Sequence, residues 1–210
     1  MLFWFGLFVG ASYFVAIRAG FGHADMVAWK GAGVGLLALW AARHAEGTEG
    51  WMIAAVLACG AAGDILIETH GLVPGAAAFL VGHVIAIALY HGRRRASLPA
   101  GSFAIAGVTI GLAFAMTRDF AMTRDMGVTL YAIGLGAMAG AAWQRRFPRT
   151  VAYGALLFVV SDLLIFARLD WLADSAIPDW TIWPTYFAAQ ALIAWGVVTA
   201  QSEASGRTGG

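Results

Sequence analysis

Apolar residues along this chain gather into eight blocks separated by short polar breaks. The blocks fall at about 2–18, 27–42, 51–67, 74–91, 102–117, 126–143, 150–168 and 181–200. Most come close to the ~17–25 residues that an α-helix needs to cross the hydrocarbon core of a bilayer. The breaks are too short to house a soluble domain. The pattern therefore predicts an all-α polytopic membrane protein, with one eight-helix transmembrane domain over residues 1–200, short loops, and a disordered tail over 201–210. The first block lacks the positively charged start of a cleaved signal peptide, so it is expected to be a retained span.

Composition agrees with this pattern. Of the 210 residues, 60% are hydrophobic and 12% charged, against roughly a quarter charged in an ordinary soluble domain. Mean hydropathy is +0.75. Together these exclude a typical soluble enzyme, a disordered chain and a secreted disulfide scaffold. A net charge of +1 leaves no electrostatic footprint for nucleic acid. The single cysteine, Cys59, can form no intrachain disulfide and no Cys-rich metal site. The 27 glycines suit close packing of membrane helices.

Basic residues suggest an orientation. Loops on the N-terminal side carry Arg43, Arg93, Arg94, Arg95, Arg145, Arg146, Arg149 and Arg207. The other side carries fewer: Arg18, Lys30, Arg118, Arg124 and Arg168. The positive-inside rule then places both termini in the cytoplasm, in an inner or plasma membrane if the chain is bacterial. Trp29, Trp40, Trp51, Trp143, Trp171, Trp180 and Trp183 fall near span ends, as an aromatic belt would.

Against this apolar background, Asp64 and Asp162 stand out within spans three and seven. A carboxylate near mid-membrane costs several kcal/mol by insertion scales, so such residues usually face a protein interior or a wet cavity. His83, Tyr131, Tyr186 and Gln190 form a weaker set, with Lys30 at the mouth of span two and Glu68 one turn beyond Asp64. Tyr186 and Gln190 are four apart and share a helix face. With the orientation above, these groups fall in the middle or outer half of the membrane. One polar cavity open to the outer side is the expected arrangement.

No soluble-enzyme signature is present: there is no G-x-S-x-G, H-E-x-x-H or G-x-x-x-x-G-K-[ST] sequence. Asp64, His83 and Asp162 have the donor types to ligate a divalent metal, although their spacing is not diagnostic. Gly63-Asp64-Ile65-Leu66-Ile67 echoes Ser161-Asp162-Leu163-Leu164-Ile165 four spans later, which suggests a four-plus-four parallel repeat.

At these residues the chain resembles the YhhN family of lysoplasmalogenase-like membrane proteins. Gly63-Asp64 followed by Ala78-Phe79-Leu80-Val81-Gly82-His83 is similar to that family's G-D and A-F-x-x-[GS]-H pattern. Gly154-Ala155-Leu156-Leu157-Phe158-Val159-Val160-Ser161-Asp162 is similar to its G-A-x-L-F-x-x-S-D segment. Lys30 and the stretch from Tyr186 to Gln190, before Leu192-Ile193-Ala194, match as well. Gly31 stands where the family often has proline, and Ala86 where it often has tyrosine, departures that bear on substrate fit. Characterised members hydrolyse the vinyl ether bond of lysoplasmalogens to a fatty aldehyde and a glycerophospho-headgroup. The resemblance thus implies a membrane lipid hydrolase without a cofactor.

Such chemistry suits these residues. Protonation of the alkene β-carbon gives an oxocarbenium ion that water captures, which calls for a neutral carboxylic acid and a second carboxylate. Two carboxyls in unlike surroundings divide such roles in glycosidases, whose cation is similar. Asp64 and Asp162 are the expected catalytic pair, without assignment of the acid. His83, Tyr131, Tyr186 and Gln190 would hold substrate or water, and Lys30 would meet the phosphate. The expected partners are an ether lysophospholipid and the bilayer. Two alternatives share the same polar set: a metal-dependent amidase or esterase on another lipid, and a small proton-coupled transporter or lipid-binding protein.

Overall fold

The computed structural model describes residues 1–21, 23–92, 100–116, 126–144 and 147–208. Among them are eight α-helices and no strand: α1 (Leu2–Arg18), α2 (His23–Arg43), α3 (Gly47–His70), α4 (Leu72–His91), α5 (Ala100–Met116), α6 (Met126–Ala142), α7 (Arg149–Arg168) and α8 (Ile177–Thr208). Every apolar block of the sequence lies on one helix. Three helices, α3, α4 and α7, are long and apolar enough to cross a membrane; α1, α5 and α6 are apolar but shorter. Arg93, Arg94, Arg95, Arg118, Arg124, Arg145 and Arg146, which carried most of the orientation argument, lie outside the described residues.

Neighbouring helices form a ring in the order α2, α3, α4, α6, α7, α8, with α8 returning to α2. Helix α1 packs outside this ring on α2 and α8, and α5 packs on α6 and α7. The tightest reversal is at Gly71, the single residue between α3 and α4. Its φ of +91° is open to glycine and strained for any residue with a Cβ. That turn brings the end of α3 and the start of α4 to the same end of the bundle.

Small residues let the helices approach closely. Gly10 of α1 lies against the Phe187 ring of α8, and a Cβ on Gly33 of α2 would come 3.0 Å from the Gly10 Cα. The bundle exterior is apolar: Phe8, Trp51, Val84, Phe103 and Val160, from five helices, are all largely exposed. A water-soluble monomer rarely shows so much apolar surface, whereas lipid covers it at no cost.

Two expectations are corrected. Residues 201–208 continue α8 as helix, where the sequence predicts disorder. Trp29, Trp40 and Trp183 are not belt residues. Trp40 and Trp183 are buried, and the Trp29 indole donates to the Val9 carbonyl at 3.1 Å, tying α2 to α1. Trp51, Trp171 and Trp180 are exposed, as a belt requires.

Candidate functional site

One end of the bundle is hollow. Here α1, α3 and α7 finish while α2, α4, α6 and α8 begin, and between them lies a cavity of about 1000 Å³. Lys30, Asp64, Glu68, Tyr131, Ser161, Asp162 and Tyr186 all line it. Asp64 stands six residues before the end of α3 and Asp162 six before the end of α7. At 1.5 Å per residue, each carboxyl lies about 9 Å inside its helix end.

Both carboxyls are buried, and each accepts a hydrogen bond from a tyrosine on another helix. The Tyr186 hydroxyl of α8 donates to Asp64 Oδ2 at 2.8 Å. The Tyr131 hydroxyl of α6 donates to Asp162 Oδ2 at 2.6 Å. Tyr186 also lies within electrostatic reach of Asp162, so the two pairs belong to one site. Gln190 Nε2 donates to the Tyr186 oxygen at 3.3 Å, as their four-residue spacing predicts. Gly60 of α3 makes room for that contact, since a Cβ there would fall 2.6 Å from Gln190 Nε2.

Stability alone does not account for these groups. Hydrogen bonds between membrane helices average ~0.6 kcal/mol, whereas a carboxylate at depth costs about 2.5–3.5 kcal/mol on insertion scales. On these scales a tyrosine bond to each leaves a net cost.

The mouth of the cavity is charged. Lys30 Nζ meets Glu68 Oε1 at 2.6 Å, so the lysine expected to receive phosphate already has a carboxylate partner. Arg168 faces Asp179 at 4.0 Å, and the Arg18 guanidinium sits 5.3 Å from the centre of the Trp180 ring. Arg18, Arg168 and Asp179 all line the cavity.

His83 and Gln190 are not on the cavity wall; they lie behind it. His83 is buried with its ring 5.5 Å from that of Tyr131 and 5.1 Å from that of Phe158, and neither ring nitrogen has a hydrogen-bond partner among the described residues. Asp64, His83 and Asp162 do not converge as a metal-ligand set. Among the described residues no three His, Cys, Asp or Glu side chains gather to hold an ion.

Sequence reasoning missed the contribution of α1. Tyr13 lines the cavity with its ring 4.5 Å from that of Trp183, and Asp64 and Glu68 are both within its electrostatic reach. The signal was weak, because a tyrosine in an apolar helix reads as core. Ser161 has a mainly structural part: its hydroxyl donates to the Ile182 carbonyl at 3.2 Å, holding α7 to α8.

An all-helical bundle with an apolar exterior, three helices fit to span a bilayer and two buried carboxyls in one cavity is a helical membrane protein with a polar interior site. The YhhN family model matches residues 26–197, and the chain belongs to that family. No curated protein and no solved structure matches the chain.

Proposed function

We propose that this chain is an integral-membrane hydrolase that cleaves the vinyl ether bond of lysoplasmalogens. The observation that carries this reading is the pair of buried carboxyls, Asp64 and Asp162, each held by a tyrosine and both facing one cavity. The family resemblance supplies the substrate class. The eight helices each span the membrane, both termini are cytoplasmic, and the cavity opens toward the outer leaflet.

In the reaction, one of the two aspartic acids gives its proton to the β-carbon of the alkene. Positive charge develops on the α-carbon and the ether oxygen, and the other carboxylate stabilises it. Water then adds to the α-carbon and loses a proton to a carboxylate. The resulting hemiacetal breaks its carbon–oxygen bond to the glycerol, releasing a fatty aldehyde and the glycerophospho-headgroup. Tyr131 and Tyr186 fix the carboxyl orientations, Gln190 braces Tyr186, and His83 packs behind Tyr131. Arg18, Lys30 and Arg168 at the mouth give the phosphate its counter-charge.

The test is aldehyde release from a lysoplasmenyl lipid by the purified protein in detergent, with Asp64→Asn and Asp162→Asn alongside. Turnover that both substitutions remove supports the reading. A folded wild-type protein that releases no aldehyde overturns the substrate, and turnover that survives either substitution overturns the carboxylate pair.

A further inference from the structure

A second concavity, of about 780 Å³, runs along the outside of the bundle between α1 and α8. Its wall contains no charged side chain, and its floor is made of small residues, among them Gly10, Ala11, Ala188 and Ala191. Phe14 and Trp183 line both this groove and the polar cavity, so the two spaces adjoin at that pair. The groove's far end is closed by aromatic rings, with Trp195 4.9 Å from Phe3 and 6.5 Å from Trp4 between centroids.

Length and direction are informative. The wall extends from Phe3 to Val15 on α1 and from Trp183 to Trp195 on α8, about 18 Å along each helix at 1.5 Å per residue. That slightly exceeds the depth of one leaflet, half of a ~30 Å hydrocarbon core. Helix α1 runs toward the cavity mouth and α8 runs away from it, so the groove starts beside the mouth and descends parallel to the helices. A lipid with its headgroup at the mouth has its chain in that direction. Pro184 stands at the start of the groove on α8, where it lacks the amide that would bond the Trp180 carbonyl.

We propose that the groove between α1 and α8 is the binding site for the single long alkyl chain of the lysolipid, entered from the polar cavity past Phe14 and Trp183. The identity of the lipid rests on the hydrolase reading above; the place of its chain rests on this geometry. All of α1 lies outside the family match, which begins at residue 26, whereas the α8 wall of the groove lies inside it. The competing exit is the flank between α4 and α6, where Val73, Leu80 and Leu130 also line the polar cavity.

The probe is a 1-O-alkyl lysophospholipid with a photoreactive diazirine at the chain end. Its saturated ether cannot be hydrolysed by the proposed reaction, so labelling reports binding alone. With the full chain in detergent, the expected result is labelling of residues 3–15 and 183–195 that excess unlabelled 1-O-alkyl lysophospholipid suppresses. Ala11→Trp and Ala188→Trp, on facing helices and both exposed, should each reduce that labelling about tenfold. Competable labelling at 73–80 and 127–134 would overturn the proposal, as would labelling that competitor leaves unchanged. Aldehyde release is measured in parallel on the cleavable lipid. Groove labelling without aldehyde supports the tail site while removing the hydrolase reading. Aldehyde release with labelling at the α4–α6 flank overturns the tail site and keeps that reading.

Discussion

Asp64 and Asp162 occupy matching depths in α3 and α7, yet their surroundings differ. Asp64 is one turn from Glu68, which is paired with Lys30, and Lys30 is within electrostatic reach of Asp64 itself. Its tyrosine comes from α8 and is braced by Gln190. Asp162 takes its tyrosine from the neighbouring α6, and that ring packs against His83 and Phe166. One centre thus adjoins an ionic pair and the other does not, while the tyrosines of both sit among aromatic rings. A strict four-plus-four repeat would give both carboxyls equivalent partners, and here the partners differ. Unlike surroundings are one way in which two carboxyls come to divide acid and base roles.

The largest expected effect tests whether both centres are chemical. Asp64→Asn and Asp162→Asn each keep an oxygen for the tyrosine hydroxyl while removing the acid. Activity should fall by about 10⁴-fold or more, the upper range for acid–base catalysis. Thermal unfolding in detergent should show no loss of stability, because an amide is easier to bury than a carboxylate. A melting temperature lowered by several degrees in one variant alone would mark that carboxyl as structural and end the comparison.

Next in size is the difference between the tyrosines. Tyr131→Phe deprives Asp162 of its tyrosine hydrogen bond, so a loss of about 10²-fold is expected, as for removal of one oriented donor. Tyr186→Phe leaves Asp64 within reach of Lys30, and the loss should be nearer tenfold. Steady-state kinetics on both variants decide the matter. Equal losses would mean that the ionic mouth lends Asp64 nothing.

The sequence made the helices legible because each apolar block stands out between polar breaks. It placed their ends less well: α3 reaches from Gly47 to His70 and α8 on to Thr208, since polar residues at a helix end remain helical after the hydrocarbon stops. Asp64, Asp162, Tyr131 and Tyr186 were legible as polar residues where apolar ones are expected. The four-residue spacing of Tyr186 and Gln190 foretold their contact. The Lys30–Glu68 pair was not foreseen, because sequence shows each charge without its partner. Trp29 and Trp183 were misread as belt residues, since hydropathy cannot distinguish a ring facing lipid from one facing a neighbouring helix. For the same reason the apolar groove on α1 left no trace in the pattern.

A smaller effect should separate the mouth from the chemistry. Lys30→Ala removes a cation proposed to meet the headgroup and not the reacting carbons. KM should rise several-fold, the signature of lost uniform binding, with a smaller fall in kcat through the Asp64 carboxyl that Lys30 reaches. The wild-type KM should also rise with salt, since charges at a wet mouth are screened. A fall in kcat as large as the rise in KM would place Lys30 in the transition state and make the Asp64 centre a three-residue unit.

The smallest effect concerns the brace behind Tyr186. A methyl on Gly60 would fall 2.6 Å from Gln190 Nε2 and 3.3 Å from the Tyr186 oxygen. Gly60→Ala should therefore push Gln190 aside and lower activity by about threefold, less than loss of the tyrosine hydroxyl itself, at a stability cost of ~1–3 kcal/mol for overpacking. Gln190→Ala should lower activity by a similar factor while removing the group that the methyl strikes. If the two substitutions act through one contact, the double variant is no worse than Gln190→Ala alone, and a double-mutant cycle returns a clear coupling. Simple multiplication of the two losses would mean that Gly60 serves only the packing of α3 on α8. Among the described residues the centre at Asp162 contains no such brace, so the same cycle built on His83 and Tyr131 should show coupling in stability alone.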